Sequence, residues 1–444
     1  MSSEQADIAE RHVLTGIHLY RAGKKAHALI HIRKALALNP DSGLGHVWLA
    51  VMLQSGGSSR DVVPHLHAAA RFLPAHAPEQ DVCTWLLNRS GATQSSNEEV
   101  SGKICFRTVH NHTHHRSGWS YASQALAPLH NPNGVLFEPF LESPFVWEQQ
   151  YPNQNVTYLW RALHDAGLEN VPAASESRMP PFRQQWVGFL HNPPDVPAWL
   201  HGDHRPQAIF ATAMWQESMS CCKGIFTLSE TVAVWMRRQL DVPVSALVHP
   251  TEIPETLFDW NAFVDNDRRQ IVQVGWWLRE LNAIFRLPVP NGYQKTCLVP
   301  RFSADPQGHL ARFRAQEQAA MGWETIARDD VTELSHLSNE AYDRLLSENV
   351  IFLKLHAASA NNAIIECIAR GTPVLVNRLP AVEEYLGSDY PLFYVDLEDA
   401  RRKAEDFGRI HAAHQHLISC TTRDKLSGDN FRESFVASDV YQQL

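Results

Sequence analysis

Between Asn349 and Gly387 the chain reads NVIFLKLHAASANNAIIECIARGTPVLVNRLPAVEEYLG. Val350-Ile351-Phe352-Leu353 is an unbroken apolar run, the length of a buried strand. A turn of small and polar residues follows, Ala357 to Asn362. From Ala363 to Arg370 the apolar residues Ile364, Ile365, Cys367 and Ile368 fall at helical spacing, and Gly371 supplies a C-terminal stop. Pro373 to Val376 is a second buried run. The pattern predicts strand, turn, helix, strand, one βαβ unit of about 30 residues.

The same alternation recurs along the chain. Strands are predicted at Lys103–Phe106, Trp186–Leu190, Cys222–Leu228 and Pro243–Val248, and helices at Trp119–Leu129 and from Ser229 to Leu240. A second series follows: Ile271–Gly275, then turn and helix over Trp276–Arg286, then Lys295–Val299. It continues with strand and turn over Val331–Leu337 and a helix over Glu340–Leu346. Alternating strands and helices predict an α/β chain with parallel sheets covered on both faces. Asn131–Pro152, rich in proline and aromatics, reads as an irregular surface segment, and the polar Trp260–Arg269 as a hinge. The tail from Leu397 to Leu444 reads as helical, broken at Gly428.

Residues 8–87 have a different rhythm. Gly16, Leu19, Gly23, Ala28, Ile32, Ala35 and Pro40 take the spacing of a tetratricopeptide unit, and Ala50, Leu53, Gly57, Val62, Leu66, Ala69 and Pro74 repeat it about 34 residues later. Two such units seldom stand alone, so they are expected to pack on the next domain, as a partner-binding arm or as a helical extension. Val82–Leu87 begins a capping helix, and Gly91–Gly102 has linker composition.

With 444 residues the chain has room for two or three domains. The net charge of −9 argues against nucleic acid as a partner, and no apolar run is long enough to span a membrane. The seven scattered cysteines, without a C-x-x-C, and the polar N-terminus suit reduced thiols in a cytoplasmic protein. His110, His112, His114 and His115 form an H-x-H-x-H-H run without a nearby carboxylate or cysteine. A solvated loop accounts for it better than a metal site, and no metal is expected. Asp265-Asn266-Asp267 sits in a polar linker and is set aside as a metal motif.

Within the βαβ unit, Asn361 and Asn362 stand at a helix N-terminus, where free N–H groups and the helix dipole favour an anion. Glu366 lies one turn in, placed to accept hydrogen bonds from ribose hydroxyls, or simply to sit on the surface of a capped helix.

E366-C-I-A-R-G-T-P-V-L-V followed by L379-P-A-V-E-E-Y-L-G resembles the nucleotide-sugar half of GT-B glycosyltransferases, in particular the glycogen-synthase-like group. The resemblance implies two Rossmann-like domains facing a cleft, here preceded by the tetratricopeptide-like helices. The implied divisions are 1–92 for the helical repeats, 103–262 for the acceptor domain and 263–428 for the nucleotide-sugar domain. Residues 429–444 form a helix that can cross back. In that group an E-x7-E pair lies at this turn. Glu366 matches the second glutamate, the ribose ligand, and Ala358 stands where the first would fall. The resemblance also implies phosphate contacts for Asn361 and Asn362, and a glycine-rich turn near donor or acceptor at Arg116-Ser117-Gly118. It places His191 beside the donor sugar as the catalytic-site histidine. Arg279 is assigned to the pyrophosphate, since Trp276 takes the usual arginine position and no lysine follows nearby. Glu333–Ser338 falls at the strand end where the base stacks, which makes Ser338 a donor-binding residue.

The implied activity is transfer of a sugar from a nucleotide diphosphate sugar to a glycan, protein or small-molecule acceptor. It needs no cofactor beyond that substrate. The alternative is a GT-B scaffold that binds nucleotide sugar without catalysis and acts in an assembly through its tetratricopeptide-like arm. Ala358 and the missing lysine motivate it.

Overall fold

The computed structural model describes residues 3–56, 61–73, 77, 79–90, 102–107, 118–131, 133–147, 159, 162–163, 165–168, 180–200, 202–299, 308–324, 326–335 and 337–444. The predicted linker over 91–101, the histidines at 110–115 and the Arg116-Ser117 pair lie outside these residues.

Helices α1 (Ser3–Arg21), α2 (Lys25–Leu38), α3 (Gly43–Ser55), α4 (Val62–Phe72) and α5 (Glu79–Arg89) pack in succession. The small residues of the repeat pattern make this possible. Ala28, Ala35, Ala50 and Ala69 are fully buried, and a Cβ at Gly16 would come 2.7 Å from the Ile32 side chain. The helices share one apolar core with Leu159, Ala162 and Leu163.

Strands β1 (Ile104–Phe106), β2 (Val135–Glu138), β3 (Trp186–Phe189), β4 (Cys222–Thr227) and β5 (Val244–Ala246) form a parallel sheet in sequence order. Strand β2 lies in the stretch expected to be irregular. Its apolar run is short and ends in a buried carboxylate: Glu138 is ion-paired to Arg107, and both are withdrawn from water.

The second sheet comprises β6 (Gln270–Val274), β7 (Gln294–Val299), β8 (Val331–Ser335), β9 (Val350–Leu353), β10 (Val374–Asn377) and β11 (Phe393–Tyr394). All pairs are parallel, in the order β11-β10-β9-β6-β7-β8. This is the Rossmann order, and its direction reverses between β6 and β9. Open α/β sheets bind ligands at that switch point, outside the carboxyl ends of the strands. Phe352, Leu353 and Leu375 are fully buried, as the continuous apolar runs required.

The expected hinge is a short helix, Trp260–Asp265, started by the Asp259 carboxylate accepting from the N–H groups of Asn261 and Ala262. The stretch after β6 is mostly turn, with a helix only over Ala283–Arg286. Gly428 opens a helix where a break was expected. Ser427 caps Gly428–Ala437, and Asp439–Gln442 follows. Phe431, Phe435, Val440 and Tyr441 from this tail join the core on one face of the first sheet, with Phe106, Phe137, Phe189 and Phe226. No helix among the described residues is long and apolar enough to cross a membrane.

Candidate functional site

Two loops meet at the switch point of the second sheet. The loop after β6 turns at Gly275, and the loop after β9 runs from Lys354 to the helix Asn362–Arg370. Leu278–Glu280 pairs with Lys354–His356 across the reversal. The Glu280 N–H donates to Lys354 O at 2.7 Å, the His356 N–H donates to Leu278 O at 2.9 Å, and Arg279 bridges Leu355. This short ladder fixes Arg279 against the helix N-terminus. Arg279 Nη2 donates to Asn361 Oδ1 at 3.1 Å and Nη1 to Trp277 O at 2.7 Å, while Nε is buried without a partner. A Cβ at Gly275 would lie 2.7 Å from the guanidinium carbon, so only glycine leaves Arg279 its place. Burial pulls the guanidinium down to about 10, against the opposing pull of Tyr342 and Glu366. It remains a cation at neutral pH, held mainly by neutral oxygens.

Asn361 caps the helix. Its side-chain oxygen accepts from the N–H groups of Ala363 and Ile364 at 3.1 and 3.4 Å. Two donors expected to face an anion are thus satisfied internally. Asn362 looks across to the first sheet, where a Cβ on Gly118 would meet Asn362 Nδ2 at 3.7 Å. Gly118 has φ 113° and ψ −167°, a region open essentially to glycine alone, and precedes helix α6 (Trp119–Leu126).

His191 lies two residues beyond β3. Its N–H and that of Asn192 donate to Glu142 Oε1 at 2.9 and 2.7 Å, and its Nδ1 lies 3.2 Å from Glu142 Oε2. The carboxylate therefore fixes the tautomer with hydrogen on Nδ1. The ring stacks on Phe140 at 4.0 Å and meets the edge of Trp119 at 5.0 Å. Its Nε2 is buried and unpartnered, as is Trp119 Nε1. Trp277 Nε1 donates to Asn192 Oδ1 at 3.0 Å, tying the loop after His191 to the loop before Arg279. Val196 and Leu200 pack with Leu278 and Leu281 beside that bond.

The structure thus brings Gly118, His191, Arg279, Asn361 and Asn362 to one place between the sheets. Glu366 belongs to the neighbouring side of it. It is buried and accepts the Tyr342 phenolic O–H, and burial together with this carboxylate pushes Tyr342 well up. Arg370 pairs with Asp343 at 2.7 Å beside them. Ser338 is otherwise engaged: its hydroxyl accepts from the Ala341 N–H and caps Asn339–Ser347. A serine before a helix suits either role.

Sequence reasoning missed Glu142, Trp119, Tyr342 and Lys354. No lysine follows β6 closely in the chain, but the fold brings Lys354, from the end of β9, beside the loop after β6. Lys354 Nζ meets Glu280 Oε2 at 2.8 Å on the opposite strand end. Its position directly after an apolar strand was the available signal. Glu142 lay in the segment read as irregular and carried none.

A cavity of about 1000 Å³ opens beside Asp343, between the two halves. Glu252, Glu255, Glu340, Asp343 and Glu348 line it against the single guanidinium of Arg344. A mostly acidic lining of this kind disfavours a diphosphate.

No protein-family model and no curated protein matches the chain. Among solved structures it is similar to a UDP-forming α,α-trehalose-phosphate synthase from Burkholderia xenovorans, at 14% identity and a TM-score of 0.43, covering 71% of this chain and 76% of that one. It is likewise similar to the synthase from Burkholderia vietnamiensis, at 13% identity and 0.44, covering 73% and 76%. A trehalose-6-phosphate synthase, OtsA, matches at 12% and 0.44, covering 72% and 75%. At such TM-scores the likeness carries no weight for substrate or site residues. What the chain itself shows is two parallel sheets, one of five strands and one of six.

His249 lies on the other side of Trp119, at 5.5 Å between ring centres, and is buried. Burial holds it neutral and lowers it to about 4, helped by His191 and opposed by its hydrogen bond to Pro250 O. Unfolding restores a value near 6.5, so below that pH the unfolded chain binds a proton that the folded one refuses. Stability is complete above pH 6.5 and falls by about 3 kcal/mol as pH drops toward 4. Denaturant unfolding from pH 7.5 to 4.5 should show this slope, and His249→Asn should remove it. An unchanged slope in the variant would assign the acid sensitivity elsewhere.

Proposed function

We propose that the protein is a GT-B glycosyltransferase that moves a sugar from a nucleotide diphosphate sugar to a polar acceptor. The observation that carries this reading is a set of buried polar atoms without partners: Arg279 Nε from the second sheet, and His191 Nε2 and Trp119 Nε1 from the first. Buried polar groups are normally paired, so such a set marks where a ligand's oxygens belong. In this reading Arg279 and the Asn362 N–H bind the diphosphate, and the guanidinium offsets the charge that grows on the departing nucleotide. Glu366 and Tyr342 hold the ribose. His191, oriented by Glu142, offers Nε2 to the sugar or to the acceptor hydroxyl. Residues 103–262 and 263–428 are read as the acceptor and donor domains, and the tetratricopeptide-like helices of residues 1–92 as an arm that presents the acceptor or a protein partner.

The test is thermal unfolding against nucleoside diphosphates and nucleotide sugars, followed by assay of donor hydrolysis. A ligand at 100 times its dissociation constant adds ~2.7 kcal/mol to the folded state. One nucleotide series should raise the midpoint, and Glu366→Ala should cut its affinity about tenfold through loss of the ribose contact, worth roughly 1.5 kcal/mol. Full donor affinity in that variant would remove Glu366 from the site. No shift with any nucleotide would overturn the enzymatic reading in favour of the scaffold. The helix cap that Asn361 already closes favours that second reading.

A further inference from the structure

The helical region carries a feature that sugar transfer does not use. His12 on α1 and His31 on α2 face each other with Nδ1 to Nδ1 at 3.0 Å. His46 on α3 and His65 on α4 do the same at 2.9 Å. Each pair is separated by 19 residues, and the second pair is the first displaced by the repeat period of about 34 residues. The same imidazole pair is therefore built twice, at the same register of two successive helical hairpins. All four side chains are half-buried, so they are held in place yet open to solvent.

We propose that each imidazole pair is a binding site for a divalent transition metal of the Cu2+ or Ni2+ type, with both Nδ1 atoms as ligands. Neutral imidazole is the commonest protein ligand for such ions. With metal–nitrogen bonds of about 2.0–2.1 Å, nitrogens some 2.9–3.0 Å apart subtend about 90° at the metal. That is the angle between adjacent ligands of a square-planar or octahedral ion, the geometry preferred by Cu2+ and Ni2+. Tetrahedral zinc would hold its nitrogens about 3.3 Å apart.

The second pair is also oriented as a ligand should be. His46 Nε2 lies 2.8 Å from Pro40 O and donates its hydrogen there, which leaves the lone pair on Nδ1, toward His65. A backbone carbonyl on the far nitrogen is the usual outer support of a metal-bound histidine. The ring is further steadied against Phe72. Charge distinguishes the pairs: Asp61 favours a cation at His65 against Arg33, whereas Lys34 opposes one at His12. The His46–His65 site therefore binds more tightly. Among the described residues no group of three or more His, Cys, Asp or Glu gathers here, so water completes each coordination sphere. The predicted histidine-rich loop at 110–115 is a rival for the same ions and is removed for the test.

The full chain carrying His112→Gln, His114→Gln and His115→Gln is titrated with NiCl2 or CuCl2 in equilibrium dialysis, alone and with each pair changed. Two bound equivalents are expected. His46→Gln/His65→Gln should lose the tighter one and His12→Gln/His31→Gln the weaker, with helical circular dichroism unchanged. An unchanged count in both pair variants overturns the proposal. A second measurement needs no substitution: diethylpyrocarbonate labelling of the wild type, read by peptide mass. Ni2+ should protect His46 and His65 first, then His12 and His31. Protection confined to His112, His114 and His115, or to none of these residues, also overturns it.

Discussion

Arg279→Ala is expected to weaken nucleoside diphosphate binding about 100-fold while leaving the protein nearly as stable as before. The two halves of this result have one cause. The guanidinium is buried with an unpartnered Nε, its main hydrogen bonds go to neutral oxygens, and burial depresses it to about 10. The folded protein thus keeps a desolvated cation that its own groups do not neutralise, at a cost to stability. A diphosphate supplies the missing charge, and charge-assisted hydrogen bonds of this kind contribute ~1.5–3 kcal/mol each. Truncation removes that gain and relieves the burial cost at the same time. Asn361 keeps its two N–H donors from Ala363 and Ile364, so the helix cap survives. Calorimetric titration and urea unfolding of the same variant check both halves. A large loss of stability with binding intact would mean that Arg279 is a structural residue only.

The second large effect belongs to Glu142. Glu142→Ala leaves two buried N–H groups, of His191 and Asn192, without their acceptor, and each such loss costs about 1–3 kcal/mol. The expected destabilisation is about 3–5 kcal/mol, a large share of a typical domain's stability. Glu142→Gln separates structure from chemistry. The amide oxygen still accepts from the two N–H groups, but the charge beside His191 Nδ1 is gone. This variant should stay folded while transfer falls about 100-fold, since positioned acid–base groups contribute roughly 10²–10⁴-fold. A glutamine variant with wild-type rate would leave Glu142 a purely structural role.

Much of this site was legible because it rests on strand ends. Val350–Leu353 followed by small polar residues and a helix could only be a βαβ unit, which put Asn361 and Asn362 at a ligand-binding edge. His191 was visible for the same reason, two residues beyond the strand Trp186–Phe189. What stayed hidden came from segments remote in the chain. Glu142 reaches His191 across 49 residues, and Tyr342 reaches Glu366 across 24. No local periodicity records such meetings. Lys354 went unnoticed because reasoning along the sequence looks just downstream of β6, whereas the switch point places the end of β9 beside it. Strand β2 escaped because a buried ion pair, Arg107 with Glu138, interrupts its apolar pattern. At Ser338 the pattern does not separate two roles, because helix capping and ligand binding draw on the same residue types at the same turns.

The return of residues 428–442 to the first sheet sets an order of assembly. Phe431 and Phe435 cover Phe137, Phe189 and Phe226, which belong to strands made far earlier. During synthesis that face has no lid until the second sheet has been translated. The first half must wait with its aromatic strands uncovered, a state prone to sticking to other chains. The two halves therefore mature together, and the ribosome's pace through residues 250–428 sets how long the first stays exposed.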